Sequence, residues 1–166
     1  MNSNKVSVII PSFNRYSYLL NAITSIQNQT HDNYEIIVVN DGSTEDGYKS
    51  SELKNISKVI HIDRDKTPNW GGSRPAVRNY GISQASGDFI AFLDDDDFWL
   101  PNKLERQLYA IKDKNIGFSC TDGFFGYGVY DENKKYPLYN SEHHFKKIKK
   151  KYRWTRYFKS SSFPKV

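Results

Sequence analysis

Residues 89–97 read Phe-Ile-Ala-Phe-Leu-Asp-Asp-Asp-Asp, a short apolar run that ends in four consecutive carboxylates. An unbroken apolar run of this length predicts a buried strand. The four carboxylates repel one another at a cost that solvent only partly screens. Directly after a strand, such a cluster favours a bound cation, because hard divalent ions such as Mg²⁺ and Mn²⁺ take carboxylate oxygens. The alternative is a solvated acidic turn that caps a helix expected to begin at Pro101.

Similar runs on both sides of this stretch predict further strands, at residues 6–10, 34–39, 59–62 and 116–120. Continuous β-branched runs are typical of strands buried on both faces, as in a parallel sheet. Helical patterns lie between them, at spacings of i, i+4 and i+7 in 19–26 and 104–111, with a third in 73–87 and a weaker one in 46–56. Strands that alternate with helices indicate an α/β protein with a Rossmann-like, mostly parallel central sheet and helices on both faces.

The charge of the chain is distributed unevenly along its 166 residues. Residues 143–166 contain nine Lys and Arg and no acidic residue, whereas residues 1–142 contain 15 basic and 19 acidic residues. A uniformly basic nucleic-acid-binding protein is therefore disfavoured, and no nucleic-acid partner is expected. We expect one domain over 1–142, followed at 143–166 by a basic aromatic tail that is either the start of a truncated half of the fold or a flexible end.

The remaining composition points to an intracellular protein. Cys120 is the single cysteine, which excludes a disulfide within the chain and a cysteine-rich zinc site. The first apolar run is too short for the core of a signal peptide, and no run approaches the roughly 20 apolar residues of a membrane-spanning helix. We expect a soluble, cytoplasmic protein.

Polar clusters follow three of the predicted strands, at residues 11–14, 40–43 and 94–97. In a parallel sheet these clusters would share the edge at which ligands bind. The first two could be simple turns, and Asn-Asp-Gly at 40–42 favours an Asx turn. Asp41 could equally accept an N–H from a base or a sugar. Arg78, on the third predicted helix, could be an ion-pair partner or a phosphate contact.

Taken together, these motifs resemble those of the family 2 glycosyltransferases of the GT-A fold. The matching segments are residues 6–15, 35–43, 78–82 and 85–97, followed by Trp99, Pro101, Lys103 and Leu104. Their order and spacing follow the pattern of the family over roughly residues 5–122.

The resemblance implies a metal-dependent, inverting transfer of a sugar from a nucleotide-sugar donor, with a UDP-sugar favoured, to an acceptor hydroxyl. It implies that Asp94 and Asp96 form the Asp-x-Asp motif, with Asp96 as the ligand of Mn²⁺ or Mg²⁺ and both as catalytic candidates. Asp41 would contact the nucleobase and Arg78 would lie near the phosphates. The other residues expected around the nucleotide-sugar are Pro11, Ser12, Phe13, Asn14 and Asp95.

The chain departs from the family pattern in its second half. The loop at 67–74 is longer than usual, so its contacts are not carried over. The general base of the family lies in the acceptor-binding half, and this chain stops before that half is complete. Asp122 is the one late carboxylate at a predicted strand end, and we expect it near the donor sugar or the acceptor, as a third catalytic candidate. The chain is therefore expected to be a fragment of a longer enzyme, whose acceptor (glycan, lipid or protein) stays open.

Two other functions fit parts of the sequence. A nucleotidyltransferase on a similar fold would need a glycine-rich loop after the first strand, and residues 11–15 contain no glycine. A nucleotide-sugar-binding module without full transferase activity could use the basic tail to contact an anionic surface such as a membrane. His143 and His144 are not expected to form a metal site, because adjacent side chains point apart on a helix or a strand.

Overall fold

The structure is a computed structural model that describes residues 4–63 and 74–114, and in addition residues 117–121, 123, 124, 126–128, 130, 131 and 133–138. The chain divides into two compact units, Met1–Pro101 and Asn102–Val166. The expected tail at 143–166 lies outside the described residues, so the predicted boundary at residue 142 stays a prediction.

The first unit is built on four parallel strands. They are β1 (Val6–Ser12), β2 (Tyr34–Asn40), β3 (Lys58–His61) and β4 (Phe89–Phe92). Their order across the sheet is β3-β2-β1-β4. The strands alternate with α1 (Tyr16–Gln27), a 3₁₀ helix (Asp46–Lys49), α2 (Ser51–Ile56) and α3 (Arg74–Ser83). The predicted α/β class and its parallel sheet are confirmed.

The strand order creates a switch point between β1 and β4. The chain runs outward from β1 through β2 to β3 and then returns to the other side of β1 as β4. Val6 pairs with Tyr34 on one side and with Phe89 on the other, so the three strands point the same way. In open parallel sheets the crevice beyond the carboxyl ends of two such strands is the usual ligand site.

Burial differs between the middle and the ends of this sheet. Residues 6–10 of β1 and 36–40 of β2 are buried on both faces, as their apolar runs predict. The expectation of two-sided burial is wrong for the shorter outer strands, where Ile90 and Phe92 of β4 are 39% and 46% exposed. These strands are hydrogen-bonded on one side within the described sheet, and the sequence pattern alone does not show which strand lies at the end.

Of the four predicted helices, α1 matches closely, α3 ends at Ser83 and not at the predicted residue 87, and the other two begin differently. In α1 the predicted apolar stripe of Leu19, Ile23 and Ile26 is buried. The predicted helix over 46–56 is interrupted at Ser50, whose backbone is extended and whose hydroxyl accepts a hydrogen bond from the N–H of Leu53 at 3.2 Å. Ser50 therefore ends the 3₁₀ helix and caps α2, because a cap residue takes a non-helical conformation.

In the second unit, α4 spans Lys103–Lys114 and not the expected start at Pro101, which lies in the preceding turn. Of the strand expected over 116–120, the described residues 117–120 are not in strand conformation. No helix in the described ranges combines the length and the apolar character that a bilayer crossing requires.

The helix α3 lies very close to the sheet at Gly81. A Cβ atom at this position would lie 2.5 Å from Cγ2 of Ile9 and 3.0 Å from Cγ2 of Val39. Only a glycine allows this approach, which packs Val77 of the same helix into the core against β1 and β2. Arg78 follows Val77 in the same helix, so the position of the helix on the sheet also determines where Arg78 lies.

Glu35 links several segments of the chain at the amino edge of the sheet. Its Oε1 accepts hydrogen bonds from Ser7 Oγ at 2.5 Å and from the Ser86 N–H at 2.7 Å, and its Oε2 lies 3.1 Å from Lys5 Nζ. Desolvation by itself would raise the pKa of Glu35, but these hydrogen bonds outweigh it and lower the pKa from 4.5 to about 2. One carboxylate thus joins β1, β2 and the segment that leads into β4.

We expect Glu35→Gln to destabilise the fold at pH 7 by on the order of 1.5 kcal/mol, because it weakens hydrogen bonds to a charged acceptor. A carboxylate with a lowered folded-state pKa stabilises the fold above its unfolded pKa, and this stabilisation is lost as the pH falls through the folded-state value. The difference between wild type and variant should therefore shrink between pH 4.5 and about pH 2. Urea unfolding across this range measures it, with Asp46→Asn, at a fully exposed carboxylate, as the control. A difference that stays constant down to pH 2 would contradict this role of Glu35.

Candidate functional site

The carboxyl edge of the sheet brings the three predicted polar clusters together. Ser12, the last residue of β1, pairs with Asn40, the last residue of β2. The N–H of Asp41 donates to the carbonyl of Ser12 at 2.9 Å, and Ser12 Oγ donates to Asp95 Oδ2 at 2.7 Å. The clusters at 11–14, 40–43 and 94–97 therefore form one continuous surface at the switch point.

Asp95 is the buried carboxylate of this surface, with 6% of its area exposed. Desolvation raises its pKa, the hydrogen bond from Ser12 and the charge of Arg15 oppose that rise, and Asp96 adds to it. The pKa of Asp97 is likewise raised, first by desolvation and then by the charges of Asp94, Asp96 and Asp95. The four-carboxylate run is thus an electrostatically costly arrangement, as its sequence indicates.

Two arginines offset part of this negative charge. Arg15 Nη1 lies 2.5 Å from Asp96 Oδ2 and 3.5 Å from Asp95 Oδ1. Arg78 Nη2, from α3, forms an ion pair with Asp94 Oδ1. About half of each of the Asp94 and Asp96 side chains is exposed, at 47% and 49%. These two carboxylates therefore face outward at the edge, each beside a cation of the chain itself.

A buried tyrosine joins this group from the 3₁₀ helix. The Tyr48 hydroxyl lies 2.5 Å from Ser12 Oγ and accepts a hydrogen bond from the backbone N–H of Arg15 at 3.1 Å. Tyr48 has no exposed area. Neither Tyr48 nor the guanidinium of Arg15 is predicted at the site by the motifs, because their proximity arises only when the chain folds.

Asn14 links the loops after β1 and β2 by hydrogen bonds. Its N–H donates to Ser43 Oγ at 2.9 Å, and its Oδ1 accepts from the N–H of Thr44 at 2.8 Å. Asn14 has a φ of 50°, in the left-handed region that asparagine tolerates better than most residues. The turn after β2 is closed by Asn40, whose Oδ1 accepts from the Ser43 N–H at 2.8 Å. The sequence indicates a turn closed by an Asx side chain, and the structure shows one in which Asn40 accepts from the residue three positions on and not two.

A histidine that the motifs do not indicate lies at the end of β3. Asn40 Nδ2 is 2.9 Å from His61 Nδ1. Because the amide nitrogen can only donate, Nδ1 accepts and the neutral ring carries its proton on Nε2. Desolvation lowers the pKa of His61, and the charges of Lys54 and Lys49 lower it further. Its position near the carboxyl end of the predicted strand 59–62 is the one signal in the sequence that could have pointed to it.

The remaining predicted site residues fall into two groups. Pro11 is partly buried in β1 and Phe13 is 43% exposed just beyond it, at the same edge as Asp41. Asp122 lies outside the described residues. Within the part of the chain that the structure describes, no group of three or more His, Cys, Asp or Glu is placed to hold a metal ion by itself.

Comparison with known proteins identifies relatives of this chain. The model of glycosyl transferase family 2 matches residues 7–164. An uncharacterized glycosyltransferase of Rickettsia bellii is 46% identical over 132 residues, which are 80% of this chain and 18% of that protein. The UDP-Glc:alpha-D-GlcNAc-diphosphoundecaprenol beta-1,3-glucosyltransferase WfgD of Escherichia coli is 35% identical over 119 residues, or 71% of this chain and 45% of that protein. The chain spans less than half the length of either relative.

Solved structures show the same fold. TarS 1–349 of S. aureus matches 76% of this chain and 38% of its own, with a TM-score of 0.64 and 26% identity. The same protein in complex with UDP matches 67% of this chain and 33% of its own, with a TM-score of 0.57 and 29% identity. The sheet and its helices therefore form the GT-A fold.

The hydrogen bonds of Asn14 predict how substitutions at this position change the stability of the first unit. We expect Asn14→Gly and Asn14→Ala both to destabilise the first unit, because each removes the acceptor of the Thr44 N–H. Alanine also bears the cost of a left-handed conformation, so Asn14→Ala should be less stable than Asn14→Gly by about 1 kcal/mol. Thermal unfolding of the two variants side by side measures the difference. Equal stabilities would mean that the positive φ of Asn14 does not constrain the loop.

Proposed function

The chain belongs to glycosyl transferase family 2, and from this premise we propose that it forms the donor-binding part of an enzyme that transfers a sugar from a UDP-sugar to an acceptor hydroxyl. The observation that carries the proposal is the group of half-exposed carboxylates, Asp94 and Asp96, flanked by Arg78 and Arg15 at the switch point of the sheet. The choice of uridine is supported by the TarS structures described with UDP and UDP-GlcNAc and by the UDP-Glc in the name of the E. coli relative.

In this proposal the two loops beyond β1 and β2 hold the nucleobase. Phe13 offers an exposed aromatic face, Pro11 lines the same edge and Asp41 accepts an N–H of the base. Asn14 holds the two loops together. The hydroxyl of Ser12 is engaged inside the protein, so Ser12 shapes the pocket through its backbone and its hold on Asp95.

The carboxylates fit a divalent cation that is shared with the donor. Mg²⁺ and Mn²⁺ are commonly held by one or two carboxylates together with substrate phosphates and water, so a cage of three protein ligands is not required. Asp96 is the proposed ligand, and Asp94 and Asp95 lie on the nucleotide side. When bound, the cation neutralises the charge that develops on the diphosphate leaving group.

The arginines complete the proposed binding of the donor. A diphosphate that enters this edge meets Arg78 on α3, whose planar guanidinium matches phosphate oxygens in bidentate geometry. The transfer proceeds with inversion, by attack of an acceptor hydroxyl on the face of the sugar opposite the diphosphate. The base for that hydroxyl is proposed to lie outside the first unit.

A binding measurement tests the proposal. We expect the 166-residue chain to bind UDP at least about 10-fold more tightly in Mn²⁺ than in EDTA, and Asp96→Asn to remove most of this difference. Isothermal titration calorimetry with UDP, in Mn²⁺ and in EDTA, gives both dissociation constants.

Asp88→Asn is the matched control, because the Asp88 carboxylate accepts the Lys5 N–H at 2.8 Å at the opposite edge of the sheet. It should retain the full effect of Mn²⁺. If GDP or ADP bound more tightly than UDP, the uridine assignment would be wrong. If Mn²⁺ had no effect on wild type, the proposed metal site would be excluded.

A further inference from the structure

Tyr48 is held in a fixed position next to the proposed donor site. It lies in the 3₁₀ helix, is fully buried and packs against Tyr16, with ring centroids 5.6 Å apart and planes at 59°. The neighbouring Gly47 leaves the room that the Tyr16 ring needs, since a Cβ atom there would lie 2.5 Å from that ring. The Tyr48 ring is therefore buried beside Tyr16, and its hydroxyl is the group that forms hydrogen bonds.

The order of donors and acceptors around this hydroxyl follows from its partners. The backbone N–H of Arg15 can only donate, so the Tyr48 oxygen accepts from it. Ser12 Oγ donates to Asp95 Oδ2 at 2.7 Å, and a hydroxyl has a single proton to give. With that proton in use, the contact of 2.5 Å between Ser12 and Tyr48 is a hydrogen bond donated by Tyr48. The result is a directed chain from Arg15 through Tyr48 and Ser12 to Asp95.

The chain closes into a ring through the side chain of Arg15. Its guanidinium returns to Asp95 Oδ1 at 3.5 Å and reaches Asp96 Oδ2 at 2.5 Å. Hydrogen bonds that run in one direction polarise one another, which strengthens the set in a buried setting. In the described residues no buried side-chain nitrogen or oxygen lacks a hydrogen-bond partner. Removing one member of the ring would therefore leave a neighbouring donor or acceptor without its partner, which costs stability.

From this ring we infer that Tyr48 is a positioning residue, whose buried hydroxyl holds Ser12 and Arg15 so that Asp95 and Asp96 are oriented for the metal and the donor diphosphate. The inference rests on the proposed function, which supplies the metal and the diphosphate. Tyr48 itself touches neither, because it acts through Ser12 and through Arg15. Its role is specific to the hydroxyl, since the ring alone would satisfy the packing against Tyr16.

Tyr48→Phe removes this hydroxyl and keeps the ring. We measure the Mn²⁺ concentration that gives half-maximal binding of UDP at a fixed UDP concentration, a quantity that general loosening of the fold would not change selectively. We expect this concentration to rise about 10-fold in Tyr48→Phe, as is typical when a residue that orients a metal ligand is lost. Ser12→Ala, which breaks the same chain from β1, should give a similar rise, and it provides the measurement if Tyr48→Phe does not fold.

The double variant identifies action through one network. If Tyr48 and Ser12 act in series, Tyr48→Phe combined with Ser12→Ala should raise the half-maximal Mn²⁺ concentration little beyond either single change. Ser25→Ala is the matched control, because Ser25 is a fully buried serine of α1 whose hydroxyl donates to the Ala22 carbonyl at 2.6 Å. It should lower the melting temperature without changing the Mn²⁺ requirement.

The outcomes separate the inference from the proposed function. A folded Tyr48→Phe with the Mn²⁺ requirement of wild type would overturn the inference and leave the proposed function intact. An equal rise in Ser25→Ala, or effects of Tyr48→Phe and Ser12→Ala that simply multiply, would also overturn it. If wild type shows no dependence of UDP binding on Mn²⁺, the metal site of the proposed function fails, and the inference fails with it.

Discussion

The central position of β1 is the constraint on which the rest of the first unit depends. This strand is paired in parallel with β2 on one side and β4 on the other, so its backbone groups are satisfied within the sheet and its side chains can be buried on both faces. Parallel pairing requires that each crossover return to the same end, which places every strand-to-helix connection at one edge. Ser12, the last residue of β1, therefore lies between Asn40 and the aspartates that follow β4. The central position of β1 in the sheet is what brings the residues of the site together.

The two edges of this sheet use carboxylates in opposite ways. At the amino edge, Glu35 receives hydrogen bonds from two serines and a lysine, and its pKa falls to about 2. At the carboxyl edge, desolvation and neighbouring carboxylates raise the pKa values of Asp95 and Asp97. The amino edge is thus stabilised by its own residues, whereas the carboxyl edge keeps an excess of negative charge. An additional cation would be most favourable at the carboxyl edge, which agrees with the metal proposed there.

The sequence was informative wherever function depends on residues that are adjacent along the chain. The apolar runs predicted five strands, of which four form the parallel sheet, and the polar residues after three of these predicted which loops meet. A local pattern cannot show which strands lie at the ends of the sheet, so the exposure of Phe92 was missed. It also cannot show where a cap replaces a helical residue, as Ser50 does between the 3₁₀ helix and α2.

The residues that the sequence did not indicate share one physical property. Tyr48, Arg15 and His61 each act on a partner that is distant in sequence, and each would be read locally as a core aromatic, a surface cation or a strand end. Tyr48 lies 36 positions from Ser12 and Arg15 lies 81 positions from Asp96. Their roles depend on the fold that brings them together, whereas the aspartates carry their chemistry within one short run. A motif therefore indicates which residues could bind a donor, and the fold determines which residues orient them.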